Sequence, residues 1–418
     1  MSSTAGPAPI GRGASALGDA AIAVAPDLVI EPAGLLERAR DLAPLLEDYA
    51  AANEDGVTLA APVVAALHDQ ELFRLLVPAA FGGGEATVHT AFEIFEEVSR
   101  ADGATGWSLM AGAIYLAVAA GYLPDAGARA VLADPRAVAA GQVAPLGVAH
   151  RKRGGAGGGW TVEGRFGFAS GGLHASWFYG GFREHTADGD PVLLANGLPS
   201  IVVGLFPAGA VDLLGNWDVI GLVGTGSVDY RVPPQTLDPA FSFPLFEPEL
   251  RRGHPRLRMG LAGLTCIGHA AFAVGVARRA LDELVALAAS KRRIGRATLI
   301  DDPVFQYRYA QAEAQLAAAR ALATSALDDL EAAAVAGAVT TEARTMARLA
   351  ATYAAETALE VAGVAFRFSG STGLRNGSVI QRCYRDLSAG EQHVFTDANS
   401  YRDAGRLLLG VGPDHLLR

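Results

Sequence analysis

Cysteine is scarce: only Cys266 and Cys383 occur in 418 residues, far apart and with no CxxC. That excludes a disulfide framework and suits a reducing compartment, so a cytoplasmic protein is expected. Charge is sparse as well, with 19% Asp, Glu, Lys and Arg and a formal net charge of −10. Nucleic-acid binding needs a basic patch, and this mild acidic excess argues against one. The N-terminal stretch, Met1 to about Asp27, lacks the basic start and apolar run of a secretory signal. Its Gly, Ala, Ser and Pro content makes residues 1–28 an expected flexible tail. Long apolar runs are missing too; the closest to a membrane span, Gly112 to Leu123, is too short. The nine histidines include no pair at metal-ligand spacing and no HExxH, so no metal is expected. A Gly-x-Ser-x-Gly elbow and a dinucleotide-binding fingerprint are likewise absent.

What is present is a chain with 50% hydrophobic residues, enough for a large core. From Val29 to about Pro135 the pattern is helical. Leu59, Val63 and Leu67 recur at four-residue spacing, with Thr58 as the expected N-cap. Pro78 to Gly84 reads as a loop, and helices follow from Thr90 to Ser99 and from Trp107 to about Ala120. Near Ala139 the pattern changes to short runs punctuated by Gly and Pro, such as Trp160–Gly164, Trp177–Gly180 and Ile201–Phe206, which read as strands. Long helices return from Leu257: Met259 to Ser290, Asp302-Pro303 to about Ala334, Thr341 to Ala365, and one from near Val379. The expected division is an N-terminal helical domain (29–138), a middle β domain (139–246) and a C-terminal helical bundle (247–418).

Four stretches invite a chemical reading. Gly154 to Gly159 lacks the strand, helix and Gly-Lys-Ser/Thr of a phosphate loop and reads as a hairpin connection. Phe166 to Trp177 packs aromatics, a hydroxyl and glycines into a turn between strands. Such a turn either lets backbone approach a flat ligand or forms a β-bulge over a buried serine. In Arg382 to His393, helical spacing would put Asp386, Gly390 and His393 on one face, where a histidine moves protons near neutral pH. The plainer alternative there is an ion pair and a core histidine. Lys291-Arg292-Arg293 closes a helix, either complementing its dipole or clamping an anion.

Together these residues resemble the acyl-CoA dehydrogenase superfamily over about residues 30–412. The likeness lies in Leu75 to Gly84, in Glu97-Val98-Ser99-Arg100-Ala101-Asp102-Gly103 to Trp107, and in Trp160 to Gly171. It continues in Ala280 to Gly295 followed by Phe305-Gln306. The resemblance implies a mainly α protein with a central β domain: N-terminal helical domain, middle β-barrel, C-terminal four-helix bundle. A dehydrogenase of that family needs a carboxylate base. Its usual position after the last motif is held here by Val394, and no Asp or Glu lies between Glu249 and Asp282.

The chain instead resembles the group D, two-component flavin monooxygenases. It does so in Phe168-Ala169-Ser170-Gly171 with His174 and Trp177, in Trp217 to Ser227, and in Arg382, Arg385, Asp386 and His393. That resemblance implies reduced FMN or FAD from a separate NAD(P)H flavin reductase, O2 as co-substrate, and a C4a-hydroperoxyflavin that oxidises a small aromatic or polycyclic substrate. Ser170 would meet flavin N5, and His393 would assist protonation at the C4a edge. Gln142, Pro145, Gly147, Phe168 and Ala169 would line the ring. Arg292, Arg293, Gln306, Ser371, Thr372 and Gly373 would hold the phosphate or a neighbouring subunit's cofactor tail. Trp107, Tyr115 and Trp217 are the expected substrate contacts, and a homotetramer or homodimer is expected. An FAD-dependent acyl-CoA dehydrogenase using Glu391, and a non-catalytic flavin-binding relative, remain the alternatives.

Overall fold

The structure, a computed structural model, describes residues 32–152, 158–246, 248–292 and 298–411. The expected tail at 1–28, most of the Gly154 to Gly159 connection and Arg293 lie outside the described residues.

Five α-helices come first: α1 (Pro32–Asp55), α2 (Ala61–Asp69), α3 (Val88–Ala101), α4 (Gly103–Tyr122) and α5 (Asp125–Leu132). Side-chain caps set two of the starts. Thr87 accepts from the Thr90 amide, and Asp102 accepts from the Thr105 amide at 3.1 Å. Thr58 is not the cap of α2, contrary to expectation. That helix begins after Ala60, whose amide donates to Asn53 Oδ1 at 2.7 Å, and Pro62 sits in the first turn where its missing N–H costs nothing.

Seven strands follow: β1 (Ala139–Arg151), β2 (Trp160–Ala169), β3 (Trp177–His185), β4 (Ile201–Pro207), β5 (Asp212–Leu213), β6 (Val228–Leu237) and β7 (Ser242–Pro244). They form a mixed sheet in the order β5-β6-β2-β1-β3-β4-β7, with β1 and β3 parallel. Arg151 pairs with Trp160, so β1 and β2 are hairpin neighbours. Phe166, Phe178, Phe182, Phe206 and Tyr230 fill the buried face of the sheet.

Five more helices complete the chain: α6 (Gly260–Ser290), α7 (Pro303–Val335), α8 (Thr341–Ser369), α9 (Val379–Gly390) and α10 (Asn399–Leu408). Asp302, Thr340 and Ser378 cap α7, α8 and α9. Helix α6 packs against α3, α4, α8 and α9, which makes it the spine joining the two helical regions. Helices α4 and α6 are, by length and composition, apolar and long enough to cross a membrane, although no uninterrupted apolar run in the sequence is. They are 89% and 83% buried inside the protein, as core helices are.

The loop between β5 and β6 is fastened to α9 by close backbone contact. A Cβ on Gly221 would lie 2.0 Å from the Arg385 carbonyl oxygen, so only glycine lets the two segments meet. Gly221→Ala is expected to destabilise the fold by about 1–3 kcal/mol. Urea unfolding checks this; an unchanged midpoint would mean the loop does not rest on α9.

Candidate active site

Strand β2 ends in a bulge. Its register with β6 shifts between Phe166 and Ala169, and Phe168 adopts a left-handed φ of 60°. For a bulky residue that conformation is strained and calls for a compensating role. Here it turns the Phe168 ring outward, where it stays 65% exposed and meets Trp217 edge-on at 6.1 Å. The pair opens onto a cleft of about 480 Å3 shared with Arg165, Gly167, Asn216, Val219 and Asp229. The turn is the β-bulge of the second reading, with Ser170 half-buried beneath it, and it also leaves an aromatic ring exposed.

Two residues on, the chain points inward. Ser170 Oγ accepts from Trp107 Nε1 at 2.9 Å and from Ser227 Oγ at 2.9 Å. Trp107, on α4 and only 8% exposed, stands at the centre of an aromatic cluster. Its ring is edge-on to His269 at 5.0 Å, to Phe272 at 4.9 Å and to His393 at 5.8 Å. Ser170 and His393, 223 positions apart in the chain, thus meet through one indole.

His393 does not continue α9, as helical spacing suggested. The helix stops at Gly390, the His393 amide bonds back to the Gly390 carbonyl, and the imidazole caps the next turn. Its Nδ1 accepts from the Phe395 amide at 3.3 Å, so a neutral ring carries its proton on Nε2. Burial, then the neighbouring His269, push its pKa down to about 2, so it is neutral across the working range.

His269, on α6, was missed in the sequence. Its ring centre is 4.3 Å from that of His393, and burial lowers its pKa to about 4. Its Nδ1–H donates to the Thr265 carbonyl at 2.9 Å, leaving Nε2 buried without a hydrogen-bond partner among the described residues. A cavity of about 10 Å3, lined by Trp107, His269, Gly390, Glu391 and Thr396, has room for roughly one water. Glu391 is half-buried; burial, then Glu356 and Glu360, raise its pKa. A lone histidine within a long apolar helix gives no periodic signal, and only its distance from acidic residues marked this stretch.

The other expected residues fall into two groups. Gln142, on β1, joins the bulge: its side-chain oxygen lies 3.5 Å from the Gly167 amide, and its own amide donates to Tyr230 Oη at 2.9 Å. Pro145 and Gly147 mark the two register shifts of β1 beside it, and Ala169 is buried under the sheet. Tyr115 stacks on Tyr179 and donates to the Gly141 carbonyl at 2.9 Å, fixing β1 rather than opening onto the cleft. Trp217 donates to the Leu222 and Val223 carbonyls, which hold it opposite Phe168.

The second group lies elsewhere. Lys291 Nζ bonds the Ser369 carbonyl and Thr372 Oγ1, joining the end of α6 to the turn with Ser371, Thr372 and Gly373. Arg292 and Gln306 are exposed nearby, Gln306 bonding the Ile300 carbonyl. This cluster is 22 residues past His269, about 33 Å along a helix rising 1.5 Å per residue. One chain does not bring the two groups together.

Arg385 and Asp386 position the site. Arg385 pairs with Glu54 at 2.5 Å and donates to the Ile220 carbonyl, while Asp386 Oδ1 accepts from the Leu222 amide at 2.6 Å. Together they hold the Trp217-to-Ser227 loop. Burial, reinforced by Asp102, pushes the Asp386 pKa up to about 7. Because this folded value lies above the unfolded one, the stability tied to the protonated acid is lost as pH rises from about 4 to 7. Asp386→Asn keeps the acceptor without the charge, so at pH 8 its unfolding midpoint should equal or exceed that of the parent. Asp386→Ala strands the Leu222 amide and should cost about 1–3 kcal/mol. Equal losses in the two variants, measured by denaturant melts, would contradict this.

Helices before and after a central mixed sheet in the chain, with an aromatic cleft at a sheet bulge and a half-buried serine and histidine near it, are the features of the acyl-CoA dehydrogenase fold. Models of the family's N-terminal and C-terminal domains match residues 38–122 and 267–398. An indole-3-acetate monooxygenase from Pseudomonas putida is 32% identical over 84% of this chain and 87% of its own length. The flavin-dependent monooxygenase oxygenase subunit HsaA of Rhodococcus jostii is 28% identical, over 87% and 94%. The crystal structure of 3-HSA hydroxylase from Rhodococcus sp. RHA1 superposes with a TM-score of 0.82 at 27% identity, covering 92% of this chain and 99% of that one. The chain belongs to the acyl-CoA dehydrogenase superfamily and, within it, to the flavin-dependent monooxygenases.

Proposed function

We propose that this chain is the oxygenase component that inserts one atom of O2 into a small aromatic or polycyclic substrate, using reduced FMN or FAD. The observation that carries this reading is the Ser170–Trp107–His393 contact behind the Phe168–Trp217 cleft. The residues fit a flavin. An outward-turned aromatic ring on a strained bulge suits a flat ligand, and a half-buried serine hydroxyl suits a hydrogen bond to a ring nitrogen. When bound, the reduced flavin supplies the electrons and activates oxygen.

The protein's share is placement and dryness. With flavin bound, Ser170 would face N5, Gln142, Pro145 and Phe168 would line the ring with the buried Gly147 and Ala169 shaping the backbone behind them, and Trp107 and Trp217 would bound the substrate space. His393, kept neutral by burial, would offer its Nε2–H as a hydrogen-bond donor to the reacting oxygen while keeping its proton. Arg292, Arg293, Gln306 and Ser371 to Gly373, distant from this centre within one chain, suit the cofactor tail of a neighbouring subunit in a homotetramer or homodimer. The reading also takes the chain as three domains (29–138, 139–246 and 247–418), with a closed middle barrel and helices α6 to α9 as a four-helix bundle. The reductase is a separate NAD(P)H enzyme reached by flavin diffusion, and both work in the cytoplasm.

The test supplies reduced flavin, 18O2 and a panel of indoles, phenols and fused aromatics. One labelled oxygen in the product of at least one substrate is expected. Flavin-dependent oxidation of acyl thioesters with no label incorporated would overturn the reading in favour of a dehydrogenase using Glu391.

A further inference from the structure

Behind Ser170 runs a line of hydroxyls. Ser227 Oγ lies 2.9 Å from Ser170 Oγ, Thr225 Oγ1 lies 2.6 Å from Ser227 Oγ, and Thr225 Oγ1 lies 2.7 Å from the Leu222 carbonyl oxygen. Thr225 and Ser227 are 0% and 2% exposed, so neither can trade these bonds for bulk water. Each hydroxyl has one proton to give. Trp107 Nε1–H can only donate, and it permanently occupies one lone pair of Ser170.

These positions allow two polarities. In one, Thr225 donates to Ser227 and Ser227 to Ser170, so the Ser170 proton is free to point into the site. The Leu222 carbonyl then keeps its bond from Trp217 Nε1 at 3.2 Å. In the other, reached by rotating the hydroxyls and opposite to the Ser227-to-Ser170 bond the structure shows, Ser170 donates to Ser227, Ser227 to Thr225 and Thr225 to the Leu222 carbonyl, and Ser170 offers the site a lone pair.

We propose that the Ser170–Ser227–Thr225 chain is a reversible hydrogen-bond relay that lets Ser170 donate to a bare flavin N5 and accept from a protonated one. This rests on the proposed function, which places Ser170 at N5. Oxidised flavin has a lone pair at N5, whereas reduced flavin has N5–H. A lone serine satisfies the first easily. It accepts the second well only if its own proton has a buried acceptor, which Ser227 provides and Thr225 completes. Ser227 and Thr225 are therefore positioning residues that favour the reduced cofactor.

The test is equilibrium binding of FMN and of FAD, oxidised in air and reduced under anaerobic dithionite, with the bound midpoint potential measured independently. Ser227→Ala is expected to raise the Kd of reduced flavin about tenfold while the oxidised form stays within about twofold. A tenfold change in that ratio lowers the two-electron midpoint by ~30 mV. Ser227→Thr should restore the parent values, and Thr225→Val, which breaks the chain at its far end, should shift the same ratio in the same direction. If Ser227→Ala weakens both oxidation states equally, or neither, in a protein that still melts cooperatively, the relay is wrong. If the unsubstituted protein binds neither form, the proposed function itself fails, a distinguishable result.

Discussion

His393→Ala lowers product formation by about a hundredfold or more, while the thermal midpoint moves by only a few degrees. The large kinetic effect follows from placement: His393 is the imidazole packed on Trp107, across from the Ser170 hydroxyl, with its Nε2 proton uncommitted. The small structural effect follows from its thin attachment, a single long bond from the Phe395 amide at the end of a short turn. Its burial gives a pH signature as well. With a folded pKa near 2, the rate should show no step near pH 6.5 arising from this group. His269 and His174, both lowered to about 4, behave alike. Because these folded values lie below the unfolded one, their stability contribution is full above pH 6.5. It is lost as pH falls through the window between 6.5 and 4. A sigmoidal rate loss below pH 6.5 that disappears in His393→Ala would instead require a charged imidazolium.

The second large effect concerns Trp107. Trp107→Ala removes the indole that Ser170, His269, Phe272 and His393 all meet and opens a cavity at their junction. The expected cost is about 3–5 kcal/mol, the range for deleting a buried aromatic. Trp107→Phe separates packing from polarity. It keeps most of the contact surface and should cost under about 1.5 kcal/mol. It removes the Nε1–H that fixes Ser170, so turnover should still fall about tenfold. Denaturant melts and initial rates on the two variants check both statements. A phenylalanine variant with unchanged turnover would show that the indole serves packing alone.

Much of the helical scaffold was legible because its signals are local. Asp302-Pro303 opens α7 as read, and the strands at Trp160, Trp177 and Ile201 stand where alternation and glycine punctuation put them. The failures are tertiary. Thr58 looked like a cap, but Asn53 reaches across to the Ala60 amide and shifts the helix start. His393 looked like a residue on α9, but Gly390 packs against Phe272 and Trp107, and the chain turns there. The site was legible only as separate motifs. That Ser170 and His393 meet through Trp107 and that His269 stands beside them depend on how α4 and α6 cross, and that Ser227 and Thr225 stand behind Ser170 depends on β2 pairing with β6 at Ala169 and Val228. No residue spacing encodes that crossing.

The central claim is that the site is built for oxygen chemistry rather than for α-proton abstraction. The most direct measurement mixes protein preloaded anaerobically with reduced FMN or FAD against oxygenated buffer and follows absorbance through the near-ultraviolet and the visible. The account predicts a transient near-ultraviolet species, with the oxidised-flavin band appearing only after a lag. Immediate growth of the oxidised band, with no lag at any oxygen concentration, would contradict it.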